Sequence, residues 1–236
     1  MKYLILAAGR SKRFGRNKLE EKFNGSSLPQ LAAKFAMENS ADEIYLTLSK
    51  SSVRTDGSRV YHQVLDDVSK VCSPIINFQP DDVYGPGAAI EAWSGVIEGP
   101  FVVLFGDNYY KGLLGGWESI FADPTDPTVY FTYLNRDINP RNLQLSAVIE
   151  DFVIEKPHSF LSGDFFCGMV RFPAGSFSHF SNLQRSDRGE LEITDMINLF
   201  PNRKKIHLLE ICNEWADLTY QTDAGRIRRL IGDEGE

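Results

Sequence analysis

The chain predicts an α/β fold: a Rossmann-like, mostly parallel sheet with helices on both faces and a smaller lobe grafted onto it. Apolar runs at 3–7, 43–49, 74–78, 101–105, 128–134, 165–172 and 205–211 read as strands. Several are continuously apolar, as strands covered on both faces must be. Helical patterns at 28–39, 60–71, 88–97, 174–183 and 193–200 fall between them, and such alternation builds a parallel sheet wound with helices. Charged or glycine-bearing groups stand directly after several apolar runs, where an open α/β sheet forms its ligand crevice.

Along the chain, the first run ends in Ala8-Gly9 and opens a basic loop with Arg10, Lys12, Arg13, Arg16 and Lys18. Tyr84-Gly85-Pro86-Gly87 is a second glycine-rich strand-to-helix turn. The run 101–105 ends in Gly106-Asp107-Asn108, and Asp123-Pro124-Thr125-Asp126-Pro127 is a turn, since proline ends helices and fixes the turn backbone. Past Asn135 the pattern is less regular, which points to the added lobe. Residues 1–231 are expected to form one domain, 1–134 serving one ligand and 135–231 a second, followed by an acidic tail at 232–236.

Composition narrows the class. At 236 residues, 42% hydrophobic and 24% charged, the chain suits one large domain. A net charge of -7 argues against a nucleic-acid partner, and sharpens the basic loop as a polyanion site. Cys72, Cys167 and Cys212 show no CxxC spacing, so neither a disulfide framework nor a zinc site is expected. Met1 runs almost at once into a strand, leaving no room for a signal peptide. With no run near the roughly 18 apolar residues of a membrane span, a cytoplasmic protein without a membrane partner is expected.

Four islands carry the chemistry: Leu4-Ile5-Leu6-Ala7-Ala8-Gly9 with Arg13, Gly15 and Lys18; Phe105-Gly106-Asp107-Asn108; Glu155-Lys156-Pro157; and Gly189-Glu190-Leu191-Glu192-Ile193-Thr194-Asp195. A triphosphate approaches backbone amides closely only where no side chain intervenes, which Gly9 allows. Arg13 and Lys18 bring positive charge over the phosphates, with Lys22 the alternative lysine. The spacing is neither GxxxxGK[ST] nor GxGxxG. Asp107 suits magnesium, which prefers hard oxygen ligands and takes one or two carboxylates; Asp217, also trailing an apolar run, is the converging second carboxylate. Lys156 is a compact charge for a phosphate, and Glu155 an acceptor for sugar hydroxyls.

In wording and order these islands resemble the sugar-1-phosphate nucleotidyltransferases, most closely the glucose-1-phosphate thymidylyltransferase group, from Lys2 to about Asp223. The resemblance implies the nucleotide-diphospho-sugar transferase fold and a magnesium-dependent joining of a nucleoside triphosphate, dTTP or another pyrimidine favoured, to a sugar-1-phosphate. It implies nucleotide contacts at Leu6, Ala7, Ala8, Gly9, Gln79, Gly85 and Gly87, with Gln79 facing the base and Gly87 close to base or ribose. Acceptor contacts fall to Asn108, Glu155, Gly168 and Arg188, with Gly168 leaving room for the sugar and Arg188 holding a phosphate. The catalytic set is Arg13, Lys18, Asp107 and Lys156, and the metal set Asp107 and Asp217. Dimers or tetramers are common in this family. Two departures stand out: Leu145-Ser146 where relatives show Tyr-Gly, and Asp217-Leu218-Thr219 where they show a glycine two residues after the aspartate. They leave two alternatives open, a cytidylyltransferase acting on phosphocholine or another small phosphate, and an inactive nucleotide-binding regulator. None of His62, His158, His179 and His207 is given a catalytic role.

Overall fold

The computed structural model describes residues 1–232 apart from Arg10, Lys12, 57–58, Asp81 and 113–119, and only the backbone of 55–56 and 59–61. The expected Arg10, Lys12 and residues 233–236 therefore lie outside the described residues. In chain order the strands are β1 (Lys2–Ala7), the tight pair β2 (Lys22–Phe23) and β3 (Ser26–Ser27), β4 (Glu43–Leu48), the pair β5 (Arg54–Asp56) and β6 (Arg59–Tyr61), and β7 (Ile75–Phe78). They continue with β8 (Phe101–Phe105), β9 (Asn108–Lys111), β10 (Val129–Arg136), β11 (Ala147–Ile149), β12 (Phe152–Ile154), β13 (Gly163–Phe172), β14 (Arg203–His207) and β15 (Glu214–Asp217).

The expected α/β architecture is present as one mixed sheet of order β12-β11-β13-β8-β1-β4-β7, with β10 on the other side of β13 and β14 beside β10. Its first half is parallel: β1 pairs with β4 and β8, and β4 with β7. β13 then enters antiparallel to β8, β10 and β11, while β10 and β14 run parallel.

β1 shows why its sequence is apolar at every position from Tyr3 to Ala7. Successive strand side chains point to opposite faces. Tyr3, Ile5 and Ala7 pack on one face with Ala32, Ala33, Phe35 and Ala36 of α1 (Leu28–Glu38) and with Val64 and Val68 of α2 (Gln63–Val68). Leu4 and Leu6 pack on the other with Ala89 and Ile90 of α3 (Pro86–Glu91), Trp93, Met196 and Ile197. α1 and α3 each begin with proline in the first turn, where its missing N–H costs no helical hydrogen bond.

Several boundaries differ from the sequence reading. The helix expected at 60–71 is instead β6 followed by α2, and that at 174–183 shrinks to Phe177–Phe180 after Gly175 turns the chain with φ +77°. α3 ends at Glu91 and gives way to turns through Gly95. The strand expected at 205–211 splits: β14 ends at His207, whose ring accepts from the Leu209 amide and starts a short helix, Leu208–Ile211. Leu208 and Ile211, three apart, pack into the same core cluster, whereas a continuing strand sends residues three apart to opposite faces.

The 123–127 turn is held from beneath. Arg171 of β13 is 1% exposed and donates to the carbonyls of Asp123, Asp126 and Thr128. Gly232 closes the helix Ala224–Ile231 in the left-handed region. The three cysteines are free thiols, and no helix among the described residues is long and apolar enough to cross a membrane.

Candidate active site

A cavity of about 380 Å³ opens at the carboxyl ends of β1 and β8 and is lined from every island. Leu6, Ala8, Gly9, Arg13, Lys18, Gln79, Gly85, Asp107, Asn108, Glu155, Lys156, Gly168, Arg188 and Asp217 all reach it. Two expected contacts do not. Ala7 faces the opposite side of β1 in the core. Gly87 lies beneath Leu191, whose carbonyl accepts its N–H at 2.8 Å, and a Cβ at Gly87 would come within 2.8 Å of that oxygen. The glycine serves the close approach of residue 191, not of a base. Gly9 is the opposite case: a Cβ there would meet nothing within 4 Å, so its bare backbone faces open space.

The loop after β1 is fixed by what it buries. Phe14 packs with Phe23, Leu28, Tyr109, Ala216, Leu218 and Ile227, and Gln221 donates to its carbonyl at 3.0 Å. The loop therefore presents Lys18 inward. Lys18 Nζ lies 2.5 Å from Asp107 Oδ2 and 2.7 Å from the Leu218 carbonyl. Lys22, the alternative lysine, points away to Asp67, a fully buried carboxylate.

Asp107 and Asp217 are brought together by strands that the sequence pattern did not disclose. β9 and β15 form a separate antiparallel pair with Asp217 opposite Asn108, and the Leu218 amide donates to the Asp107 carbonyl at 3.0 Å. Their side chains are 27% and 24% exposed. Two accessible hard-oxygen donors on adjacent backbone are the donor set magnesium takes from protein, so the residues fit that metal. Thr219, standing where relatives show glycine, donates its hydroxyl to Asp217 Oδ2 at 3.0 Å.

Elsewhere in the cavity lining Glu155 is a hub. It accepts from Ser146 Oγ at 2.7 Å, Lys156 Nζ at 2.5 Å and Arg188 Nη2 at 2.9 Å. Glu155 and Lys156 both lie just past the end of β12, and Lys156, with φ +40°, folds back onto its neighbour. Burial pushes the Glu155 carboxyl up, but the Lys156 and Arg188 cations and the Ser146 hydroxyl outweigh it and hold it below its ordinary value. Arg188 also contacts Glu192 at 2.8 Å and Glu190 at 3.4 Å. It sits among three carboxylates, and its first task is to neutralise them. Burial, then Glu192 and Glu155, raise Asp195.

Gly168 borders the cavity for a reason beyond ligand space. Its φ is +77°, and a Cβ would fall 2.7 Å from Asn108 Nδ2 and 2.9 Å from the Phe105 ring. Asn108 is 6% exposed and spends its amide on Tyr110 Oη and the Cys167 carbonyl. It positions the end of β8. His158 is exposed and lies outside the cavity lining. Sequence reasoning missed Ser146, Trp215 and Thr219 as part of the cavity lining. Ser146 and Thr219 were visible as departures, but hydroxyls that bond to functional carboxylates carry no spacing of their own.

No family model matches the chain. Among curated proteins it is 26% identical over 148 residues to a bifunctional sugar-1-phosphate nucleotidylyltransferase/acetyltransferase of Sulfurisphaera tokodaii, covering 59% of this chain and 34% of that protein. It is 27% identical over 148 residues to the bifunctional protein GlmU of Methanococcus maripaludis, covering 59% and 33%. The match thus spans about a third of the length of these curated relatives. Among solved structures, a Bacillus anthracis protein described as a glucose-1-phosphate thymidylyltransferase, in complex with sucrose, superimposes with TM-score 0.77 at 20% identity, over 100% of this chain and 97% of that one. A UDP-glucose pyrophosphorylase complexed with UDP-glucose gives 0.77 at 16%, covering 99% of each. An inositol-1-phosphate CTP transferase of T. maritima gives 0.72 at 15%, covering 99% and 96%. The fold is that of these nucleotidyltransferases, and the resemblance read from the islands is borne out by the relatives found.

Proposed function

We propose that the chain is a sugar-1-phosphate nucleotidyltransferase, joining a nucleoside triphosphate to a sugar-1-phosphate with release of pyrophosphate. The observation that carries this reading is one cavity in which Arg13, Lys18, Asp107, Asp217 and Lys156 converge from distant parts of the chain. A phosphate oxygen of the acceptor attacks the α-phosphorus, and pyrophosphate departs on the opposite side. Positioning and charge stabilisation do most of the work in such transfers, so no protein nucleophile is required.

In this reading Gly9 offers bare backbone to the triphosphate, while Arg13 and Lys18 neutralise charge on it and on the departing pyrophosphate. Asp107 and Asp217 would hold magnesium, which supplies positive charge at the phosphates. Lys156 orients the attacking phosphate, and Glu155 sets the position of Lys156. Gln79 supports a pyrimidine: its amide nitrogen is directed at the Val83 and Gly85 carbonyls, each at 3.4 Å, which leaves its oxygen to accept a ring N–H of thymine or uracil. Residues 135–231 supply most of the acceptor end, while Asp217 crosses back to the metal.

The experiment is pyrophosphate release with magnesium, crossing dTTP, UTP, CTP, ATP and GTP against a panel of sugar-1-phosphates. Release that needs one particular pair and stops with EDTA is expected. Release with phosphocholine alone, or no release despite triphosphate binding, would sink the proposal.

A further inference from the structure

Each of the two carboxylates assigned to the metal is faced by a cation of the chain itself. Lys18 Nζ stands 2.5 Å from Asp107, and Arg136 Nη2 stands 3.9 Å from Asp217 Oδ1. Arg136 ends β10 and is kept there by its stack on Trp215, with 5.1 Å between the guanidinium carbon and the ring centroid. Its Nη2 is buried with no hydrogen-bond partner among the described residues. That is costly for a strong donor, and points to an acceptor that arrives with a ligand. Trp215 itself lines the cavity.

These four groups balance two positive charges against two negative ones. A divalent cation arriving alone must compete with both side chains for the oxygens it needs, and gains nothing that offsets the cations it crowds. A triphosphate reverses this, because its oxygens accept from Lys18 and Arg136 and so release both carboxylates. Arginine suits the second position, since its planar fork can exchange a carboxylate for a phosphate in the same bidentate geometry.

Building on the nucleotidyl-transfer reading, we propose that Arg136 is a phosphate-binding residue that acts with Lys18, and that the two side chains stand in for the metal at Asp217 and Asp107 until a triphosphate draws them off. The cation and the polyphosphate then bind as one unit, not in sequence.

The test is Mn²⁺ binding followed by electron paramagnetic resonance, with Mn²⁺ alone and with inorganic tripolyphosphate, which needs no knowledge of the base. The unaltered protein is expected to bind Mn²⁺ weakly alone and at least about tenfold more tightly with tripolyphosphate. Arg136→Met is expected to bind Mn²⁺ alone about tenfold more tightly than the unaltered chain, and to gain little from tripolyphosphate. Arg136→Lys, keeping the charge, returns toward the unaltered pattern. Lys18→Met is the second variant, expected to shift in the same direction, and serves if Arg136→Met does not fold. Equal Mn²⁺ affinity and equal tripolyphosphate gain in Arg136→Met and the unaltered chain would overturn the inference while leaving the function intact. No binding of Mn²⁺ with tripolyphosphate by the unaltered protein would overturn both.

Discussion

Two lysines four residues apart, Lys18 and Lys22, meet carboxylates of opposite character. Asp107 is partly open to the cavity, whereas Asp67 is fully buried and also accepts from Lys70 at 3.0 Å and Gln63 at 3.3 Å. Burial pushes Asp67 up, but Lys22 and Lys70 outweigh it and hold the carboxyl below its ordinary value. Lys22→Met is therefore expected to lower unfolding stability by about 1–3 kcal/mol at neutral pH, the cost of leaving a buried charge short of a partner. Pyrophosphate release should stay near that of the unaltered chain. A carboxyl lowered on folding stabilises above its unfolded pKa and loses that contribution as pH falls through the folded one. The gap between variant and unaltered chain should then hold from pH 7 to about 5 and close below about 4. Urea titrations across that range check it, and a gap that widens in acid would contradict the assignment. Gly168→Ala is the matching test at a glycine. A positive φ and a Cβ 2.7 Å from Asn108 are expected to cost about 2 kcal/mol or more in the same titrations and to move the end of β8.

Among the elements, the segment 186–192 depends most on its seat. The Leu191 amide donates to the Tyr84 carbonyl at 2.8 Å, and Tyr84 bridges Glu190 beside the start of α3. This seating places Arg188, Glu190 and Glu192 on the cavity, at the end assigned to the acceptor in the proposed function. Gly87→Ala pushes the segment outward, because the obstacle is backbone 2.8 Å away. The expected kinetic signature is an acceptor KM raised about tenfold or more, with triphosphate binding little changed, since small misplacements at a reacting end carry large effects. Loss of triphosphate binding instead would separate this seat from the acceptor. The segment is legible in the sequence as a distinctive string, but its glycine partner, Gly87, reads there as close to a base or ribose. Composition marks a glycine as a place of close approach without saying what approaches. The β9–β15 pair was illegible for another reason: Asn108-Tyr109-Tyr110-Lys111 is too short and polar at its ends to read as a strand. Its partner lies a hundred residues away. At 205–211 an apolar run concealed a strand and a helix, and only the tertiary placement of Leu208 and Ile211 separates them.

For the molecule as a whole, the central parallel strands were readable because burial on both faces forces near-continuous apolar runs, as in Tyr3 to Ala7 of β1 and throughout β8. The β11–β12 hairpin was less so, because its strands mix exposed and buried positions, as Phe152 and Val153 do in β12. The two halves are not independent bodies. β13 lies between β8 and β10, and Cys167, Met169, Ile206 and Trp215 share a core with Tyr3 and Phe35. Unfolding by circular dichroism and by tryptophan fluorescence should give coincident transitions, and residues 1–134 alone should show none. Two separated transitions would refute that. The position of β13 also sets a clock. Met169 to Phe172 pair with β8 on one side, and Val170 and Arg171 with β10 on the other, whereas the hairpin β11–β12 ends the sheet with Ile149, Phe152 and Ile154 exposed. In deuterated buffer the amides of Val170 and Arg171 should be the last to exchange and those of β12 among the first. The β11–β12 edge then loosens on a seam of its own while β13 and β8 stay paired, so the sheet opens from its margin before its centre.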